Sequence, residues 1–269
     1  MIKYIYIIWI VLAIFIMLYI LCKPTRLESF DNMDRMTTFA LDKNTIVKDG
    51  NKEFSINFIV LKRDKERNTY IRKLIKNNNI NYYNIIDATD GKNIDLKYYI
   101  DNNYITYLAS RDMRLGAIGC AISHIKLWET FLKNNDNLLI VMEDDVYLMP
   151  DFNENLYHYI NHLPKNFDIS YLLIHPNKLY QNKFNNSIHI NKYVKKGFGQ
   201  WGTVAYILSK KGANRLIKLC KPIVNPIDIM IKETIENNKI ISYMPTNKLV
   251  YMPYSFKSNI WTTKQIYNQ

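Results

Sequence analysis

The chain has 269 residues, and 36 lysines and arginines against 24 aspartates and glutamates give it a formal net charge of +12. Its 48% hydrophobic content excludes a disordered chain, and its three cysteines, an odd number without a C-x-x-C pair, exclude a disulfide scaffold and zinc-ribbon or thioredoxin-like sites. The positive charge favours an anionic partner such as a nucleic acid, a membrane surface or a nucleotide diphosphate, without choosing among them.

The N-terminal segment 4–22 carries no charged side chain. At ~1.5 Å per residue this length is sufficient to cross the ~30 Å hydrocarbon core of a bilayer. No small-residue cleavage motif precedes Lys23, which favours an uncleaved single-pass transmembrane anchor over a signal peptide. Lysines flank both ends of the segment, so the positive-inside rule leaves the side of the membrane open. A eukaryotic secretory protein of this kind would have a lumenal catalytic domain.

The remaining chain divides into a stem at residues 23–52, one folded domain at residues 53–258 and a C-terminal tail at residues 259–269. Predicted strands and helices alternate in the domain, which is typical of an α/β sheet protein. The predicted strands cover residues 55–61, 82–86, 137–142, 169–174 and 203–208. The predicted helices cover residues 64–76, 116–133, 210–219 and 228–237.

Three consecutive carboxylates, Glu143, Asp144 and Asp145, follow the most hydrophobic of these strands. Ligands of α/β sheets bind at the carboxyl ends of strands. Neighbouring carboxylates repel one another and need a counter-charge, for which Mg²⁺ or Mn²⁺ is suited because both prefer oxygen ligands. The alternative is a solvated acidic turn or a helix cap near Pro150.

Several short motifs occur together in one order, and in this order they resemble glycosyltransferase family 25. This family contains bacterial lipooligosaccharide galactosyltransferases and collagen galactosyltransferases. The resemblance extends from residue 56 to about residue 258, with one departure at Ala117, where the family usually has glutamate. The matching segments are Asn57–Arg67, Asp87–Gly91, Gly116–His124, Glu143–Asp145, Gly202–Ser209, Lys211–Ala213 and Pro226–Asp228.

The resemblance implies a single Rossmann-like, GT-A-like domain that binds a nucleotide sugar. It implies transfer of a hexose, by family habit galactose, from a UDP-sugar to a glycan, lipid-linked or protein hydroxyl. Glu143 and Asp145 would hold Mn²⁺ or Mg²⁺, which offsets charge on the departing diphosphate. The residues expected to contact the donor are Arg67, Asp90, Gly91, Ser123, His124 and Asp144.

Most of these residues also have a structural interpretation. Arg67 could be a solvated helix residue, and Asp90 with Gly91 an ordinary turn. His124 lies among apolar neighbours, which favours a buried histidine with satisfied hydrogen bonds. Cys120 is expected in the core, and a third metal ligand could come from His175 or His189, although both are better explained as surface-loop residues.

Asp228 has two interpretations, a helix N-cap and the general base. An inverting transfer needs a carboxylate within hydrogen-bond reach of the acceptor hydroxyl. The resemblance favours the base.

Two other functions fit parts of the sequence. One is a catalytically inactive, membrane-tethered sugar-binding protein of the same fold. The other is a basic nucleic-acid-binding protein, although no recognised nucleic-acid module is present. The lysines that would support the second function are Lys192, Lys195, Lys196, Lys210 and Lys211.

Overall fold

The computed structural model describes residues 55–252 and Ile260. The predicted anchor at residues 4–22 and the stem at residues 23–52 lie outside the described residues, as does the tail apart from Ile260. Within the described part of the chain, no helix has both the length and the apolar character needed to span a bilayer.

The described domain alternates strands and helices, as the sequence predicts. The strands are β1 (Ile56–Val60), β2 (Tyr83–Asp87), β3 (Leu138–Glu143), β4 (Tyr147–Leu148), β5 (Ile169–Tyr171), β6 (Val194–Lys196), β7 (Ala205–Ser209), β8 (Ser242–Pro245) and β9 (Val250–Tyr251). The helices are α1 (Lys65–Asn77), α2 (Leu96–Asp101), α3 (Tyr107–Asp112), α4 (Leu115–Lys133), α5 (Phe152–His162), α6 (Lys178–Asn185), α7 (Lys210–Cys220) and α8 (Ile227–Glu236). A 3₁₀ turn, Gly91–Asn93, follows β2.

Seven of these strands form one mixed sheet in the order β2-β1-β3-β7-β5-β8-β6. Strands β2, β1 and β3 run parallel to one another, and β5 pairs with β8 in parallel. Strand β7 is antiparallel to both β3 and β5, and β6 is antiparallel to β8. Strand β3 thus has one parallel neighbour, β1, and one antiparallel neighbour, β7.

Strand β3 shows why its sequence is continuously apolar. Leu139 and Val141 belong to a core that includes residues of α4, α7 and α8. Ile140 and Met142 belong to a second core, which includes residues of α1 and α5. Because helices cover both faces of the sheet, alternate residues of the strand are buried on opposite sides.

Two close contacts fix the position of helix α4 against the loop after β2. A Cβ atom built on Gly91 would lie 2.1 Å from the Leu115 carbonyl oxygen, and one on Gly119 would lie 2.4 Å from the Thr89 carbonyl oxygen. Only glycine permits this approach of backbone to backbone. As a result, the first turns of α4 lie beside the carboxyl ends of β1, β2 and β3.

Candidate active site

A pocket opens at the carboxyl ends of β1, β2 and β3, with the first half of α4 as one wall. All eight residues that the sequence assigned to the donor and the metal line it. Their individual roles stay predictions. The lining residues are Ile59, Leu61, Arg63, Arg67, Ala88, Thr89, Asp90, Gly91, Gly116, Cys120, Ser123, His124, Glu143, Asp144, Asp145 and Ile260.

Arg67 is buried, with 6% exposure, so its interpretation as a solvated helix residue is wrong. Its Nη1 atom forms an ion pair with Asp144 Oδ1 and lies 3.5 Å from Asp145 Oδ2. Burial alone would lower the pKa of Arg67, but the charges of Asp144 and Asp145 raise it overall. The guanidinium therefore stays charged and neutralises part of the acidic triplet.

Asp144 uses both carboxylate oxygens within the protein. Oδ1 pairs with Arg67, and Oδ2 accepts a hydrogen bond from the backbone N–H of Leu61 at 3.3 Å. Burial raises the pKa of Asp144 despite the opposing effect of Arg67. Asp144 thus fastens the end of β3 to the end of β1 and to α1.

Glu143 receives two hydrogen bonds at one carboxylate oxygen, Oε1. Thr203 Oγ1 donates at 2.5 Å and His124 Nε2 at 3.3 Å. Burial would raise the pKa of Glu143, but the His124 and Thr203 contacts and the charge of Arg67 lower it overall. Glu143 is consequently an oriented carboxylate that stays ionised.

His124 is fully buried and has partners at both ring nitrogens. Nε2 faces the Glu143 carboxylate, which can only accept, so Nε2 is the donor in that bond. Nδ1 lies 2.8 Å from the Tyr206 hydroxyl, which itself accepts from Trp128 Nε1 at 2.8 Å. The hydroxyl hydrogen is thus directed to Nδ1, and the structure supports the interpretation of His124 as a buried histidine with satisfied hydrogen bonds.

Asp145 differs from its two neighbours because its Oδ1 atom is buried and has no hydrogen-bond partner among the described residues. Burial and the charges of Glu143 and Asp144 raise its pKa to about 7, against the opposing effect of Arg67. Arg67 Nη1, 3.5 Å from Oδ2, is shared with Asp144, so it offsets the charge of this carboxylate only in part. Its oxygen chemistry fits Mg²⁺ or Mn²⁺.

A second possible ligand set includes Cys120, which the sequence had assigned only to the core. The ligand atoms of Cys120, His124 and Glu143 lie within 4.8 Å of one another. The sequence pattern that could have revealed this set is the four-residue spacing of Cys120 and His124, which places both on one face of a helix. Thiolate is a soft ligand that suits metals such as Zn²⁺, whereas Mg²⁺ and Mn²⁺ prefer oxygen ligands. Glu143 with Asp145 is the better match for a hard cation.

The remaining predicted donor residues make structural contacts while lining the pocket. Ser123 Oγ donates to the Gly119 carbonyl at 2.7 Å and accepts from Thr89 N at 2.8 Å. Asp90 caps the 3₁₀ turn, since its Oδ1 atom accepts from Lys92 N at 3.0 Å. The interpretation of Asp90 and Gly91 as a turn is therefore correct, and it coexists with their place in the pocket.

Arg63 is a pocket residue that sequence reasoning did not select. Its Nε atom donates to Asp90 Oδ2 at 2.8 Å. The available signal was its position directly after β1, where a side chain reaches the carboxyl edge of the sheet. The pocket therefore contains a second guanidinium besides Arg67.

Asp228 does not line the pocket, and its interpretation as an N-cap is wrong. Pro226 occupies the N-cap position of α8, and Asp228 is the second helical residue. Its Oδ2 atom instead accepts a hydrogen bond from Gly202 N at 3.1 Å. The described contact of Asp228 is therefore with the segment before β7 and not with a pocket residue.

Neither histidine proposed as a third metal ligand lines the pocket. His175 is half-buried, and burial lowers its pKa although Asp228 opposes the shift. His189 is exposed and forms an isolated β-bridge with Lys195.

Three of the lysines that suggested a nucleic-acid surface make local structural contacts. Lys195 is buried and its Nζ atom donates to the Phe184 carbonyl at 2.8 Å, near the end of α6. Lys210 Nζ donates to the Asn134 carbonyl at 2.6 Å, and Lys211 Nζ to the Asn166 carbonyl at 2.6 Å. These three lysines therefore have local acceptors, and Lys211 Nζ also lies 3.2 Å from Asp168 Oδ1.

The sequence profile of glycosyltransferase family 25 (LPS biosynthesis protein) matches residues 54–231, about two thirds of the chain. The chain belongs to glycosyltransferase family 25. The resemblance stated from the short motifs is thereby confirmed. In this family-25 chain, Ala117 lies in the first turn of α4 and packs partly buried against the core.

Curated relatives in the family come from distant organisms. A glycosyltransferase 25 family member of Anopheles gambiae is 28% identical over 61% of this chain and 28% of its own length. A glycosyltransferase of Haemophilus influenzae is 33% identical over 43% of this chain and 39% of its own. Human procollagen galactosyltransferase 2 is 24% identical over 59% of this chain and 26% of its own. This chain thus spans well under half the length of these relatives.

Proposed function

We propose that this chain transfers a hexose from a UDP-sugar to a hydroxyl acceptor, with Mn²⁺ or Mg²⁺ bound and with inversion at the anomeric carbon. The observation that carries the proposal is the buried, unpartnered Oδ1 atom of Asp145 beside Glu143, in a pocket at the carboxyl edge of the sheet. Membership of family 25 supports the reaction class.

Glu143 and Asp145 would hold the cation. The bound cation would supply positive charge that offsets the negative charge building on the departing diphosphate. Arg67 contributes a fixed positive charge to the same wall, while its pairing with Asp144 holds the triplet in place. The donor phosphates would also meet Arg63 and the amino-terminal end of α4, where the helix dipole favours anions.

His124 and Thr203 act as positioning residues for Glu143. Both donate to the same oxygen, so they fix the direction of the carboxylate and favour its ionised form. The Tyr206 hydroxyl and the Trp128 indole keep the imidazole oriented from behind. This chain of contacts links the pocket to the core of the domain.

Asp228 is proposed as the general base that accepts the proton of the acceptor hydroxyl. Gly202 N holds one of its oxygens at 3.1 Å. In Asp228→Asn the amide oxygen can still accept from Gly202 N, but the side chain cannot take up a proton. Turnover should fall by about 10²–10⁴-fold, the usual contribution of general-base catalysis, with donor binding and Tm close to wild type. Near-normal turnover would leave Asp228 out of the mechanism.

A donor screen tests the reaction itself. The full chain is incubated with Mn²⁺ and a panel of UDP-, GDP- and CMP-sugars, and released nucleotide is measured with and without a chelator. UDP release that requires the cation, with UDP-galactose preferred, is the expected result. Retention of anomeric configuration in the product, read by NMR, would contradict the single displacement.

The preference for galactose and the class of acceptor rest on the family habit and on the printed name of the human relative. Attachment to a membrane is a separate part of the proposal and rests on the sequence of residues 4–22. Carbonate should not release the full chain from membranes, because burial of an apolar segment is not electrostatic. Deletion of residues 1–23 should release it.

A further inference from the structure

Trp201 is a large aromatic side chain with 46% exposure, in a short segment whose neighbouring residues are all anchored. Before it, Gln200 is fully buried: its Nε2 atom donates to the Leu173 carbonyl at 2.6 Å, and its Oε1 atom accepts from His175 N at 3.0 Å. After it, Gly202 N donates to Asp228 at 3.1 Å. The backbone that carries Trp201 is therefore held on both sides.

The same segment connects the two proposed reaction groups. Gly202 donates to Asp228, and the next residue, Thr203, donates to Glu143 at 2.5 Å. Gly202 has a φ of +83°, in the left-handed region that favours glycine. Trp201 thus lies one residue away from a contact with the proposed base and two residues away from a contact with a proposed metal ligand.

Two aromatic rings support the indole. The Trp201 and His175 ring centroids are 5.9 Å apart with an interplanar angle of 88°, and those of Trp201 and Tyr180 are 5.6 Å apart at 74°. Edge-to-face contacts of this type favour one ring orientation. The indole is consequently exposed yet oriented, so a ligand would pay little conformational entropy to stack on it.

A single exposed aromatic residue is common on protein surfaces and needs no function. The difference here is the combination of three features: an oriented indole, a carboxylate anchored to the adjoining Gly202, and Thr203, which donates to the pocket residue Glu143. A pyranose ring matches this combination chemically. One of its faces presents C–H groups that pack on an aromatic surface, while its hydroxyls project at the rim toward polar partners.

We propose that Trp201 is the platform on which the pyranose ring of the acceptor stacks, with the reacting hydroxyl directed to Asp228. This inference rests on the proposed transferase function and narrows the acceptor to a sugar hydroxyl. Trp201 would set affinity for the acceptor, whereas the residues that line the pocket would hold the donor.

Saturation-transfer NMR tests the platform without requiring turnover. The full chain, with UDP and Mn²⁺ present, is examined with methyl β-D-galactopyranoside, methyl β-D-glucopyranoside and lactose. We expect saturation at the C–H protons of one ring face for at least one glycoside. Trp201→Ala should remove this signal and Trp201→Phe should keep part of it.

Tyr83→Ala is the matched control, because Tyr83 is similarly exposed, at 42%, but lies at the amino end of β2, at the opposite edge of the sheet. It should bind like wild type. An unchanged signal in Trp201→Ala, or no signal with any of the three glycosides in wild type, would overturn the proposal.

The kinetic readout separates this inference from the reaction it rests on. Trp201→Ala should raise the acceptor KM by about tenfold or more, the usual effect of truncating an anchoring tryptophan, whereas the control Tyr83→Ala should keep the wild-type acceptor KM. An unchanged acceptor KM would contradict the platform alone. Absence of UDP release in wild type would contradict the proposed function, while the NMR result would still decide the platform.

Discussion

Asp145 and Asp168 both have a buried carboxylate oxygen, but their surroundings differ. Asp168 precedes β5 and is fully buried. Arg215 Nη1 lies 2.8 Å from its Oδ2 atom, Lys211 Nζ lies 3.2 Å from Oδ1, and Ile241 N donates to Oδ2 at 2.7 Å. One negative charge thus meets two positive charges and a backbone donor.

At the carboxyl end of β3, negative charges outnumber positive charges. The guanidinium of Arg67 is shared between Asp144 and Asp145, and the charge of Glu143 acts on both acids. In the described part of the chain neither Asp145 Oδ1 nor Asp168 Oδ1 has a hydrogen-bond partner, but Lys211 Nζ lies 3.2 Å from Asp168 Oδ1. Burial is common to both places, so burial alone does not distinguish a structural acid from a functional one. The local balance of charge does, because an excess of buried negative charge is relieved either by protonation, as the raised pKa of Asp145 indicates, or by a bound cation.

The largest expected effect follows from removing the charge of the Asp145 carboxylate. Asp145→Asn should lower transferase turnover by about 10³-fold, equivalent to about 4 kcal/mol of transition-state stabilisation. The Tm of the metal-free protein should stay equal or rise, because the substitution relieves repulsion with Glu143 and Asp144. Turnover is measured by UDP release and Tm by calorimetry.

A drop in Tm of Asp145→Asn comparable to that of a core variant would contradict this contrast, since it would make Asp145 a structural acid. Glu143→Gln is the companion variant. It should also lose turnover, but it weakens the contacts with His124 and Thr203, so some loss of stability is expected there.

Asp168→Ala should lower the stability of the protein and leave its turnover unchanged, the opposite of the result expected for Asp145→Asn. Removal of one partner from a buried ion pair should lower the free energy of unfolding by about 3 kcal/mol, because Ile241 N loses its acceptor and the two cations lose their counter-charge. Chemical denaturation measures this change. The kcat of the folded fraction should be unaffected, and a selective loss of kcat at unchanged stability would argue against a structural role.

The smallest effect concerns Glu129, a half-buried acid that also has partners. Lys221 Nζ lies 2.6 Å from its Oε1 atom and the Tyr104 hydroxyl donates to Oε2 at 2.5 Å. Burial would raise the pKa of Glu129, but these two contacts lower it overall. A lowered folded-state pKa gives stability that is present above the unfolded-state pKa and is lost as the pH falls through the folded value.

Wild type should therefore lose stability more steeply than Glu129→Gln below about pH 4.5, the ordinary range of a glutamate. The difference in unfolding free energy at neutral pH should be about 1 kcal/mol. Denaturation curves at several pH values measure both quantities. Parallel curves for the two proteins would show that Glu129 does not contribute to the acid sensitivity.

The position of the acidic triplet at the carboxyl end of β3 could be predicted because the pattern that indicates it is local. Strand β3 is a long apolar run, and three acids follow it without interruption. The predicted strands and helices all occur, most of them within two residues of the expected bounds, although β5 ends at Tyr171 and not at Ile174. Long, strongly patterned elements carry enough local information to be recognised.

The contacts of Asp168 could not be predicted, because the residues that form them are distant from it in the chain. Arg215 and Ile241 are 47 and 73 residues from Asp168. The short strands β4, β6, β8 and β9 were missed for the same reason, since each has two to four residues and depends on a remote partner strand. From the sequence, Lys195 in β6 would be assigned to the surface. In the fold it is buried, because the Phe184 carbonyl near the end of α6 accepts a hydrogen bond from its Nζ atom.

The roles of several pocket residues also depend on remote contacts. Thr203 reaches Glu143 across 60 residues, and Asp228 reaches Gly202 across 26. The exposed indole of Trp201 between them has no sequence pattern that distinguishes it from a core tryptophan. Only the folded chain brings these groups to one edge of the sheet.

Calorimetric titration of Mn²⁺ into the metal-free full chain, with UDP present, tests the central claim most directly. Because Asp145 carries excess buried negative charge, we expect saturable Mn²⁺ binding by the wild type. In Asp145→Asn the Kd for Mn²⁺ should rise by about tenfold or more, whereas Asp168→Ala should bind Mn²⁺ like the wild type. Equal Kd values for wild type and Asp145→Asn would contradict the account.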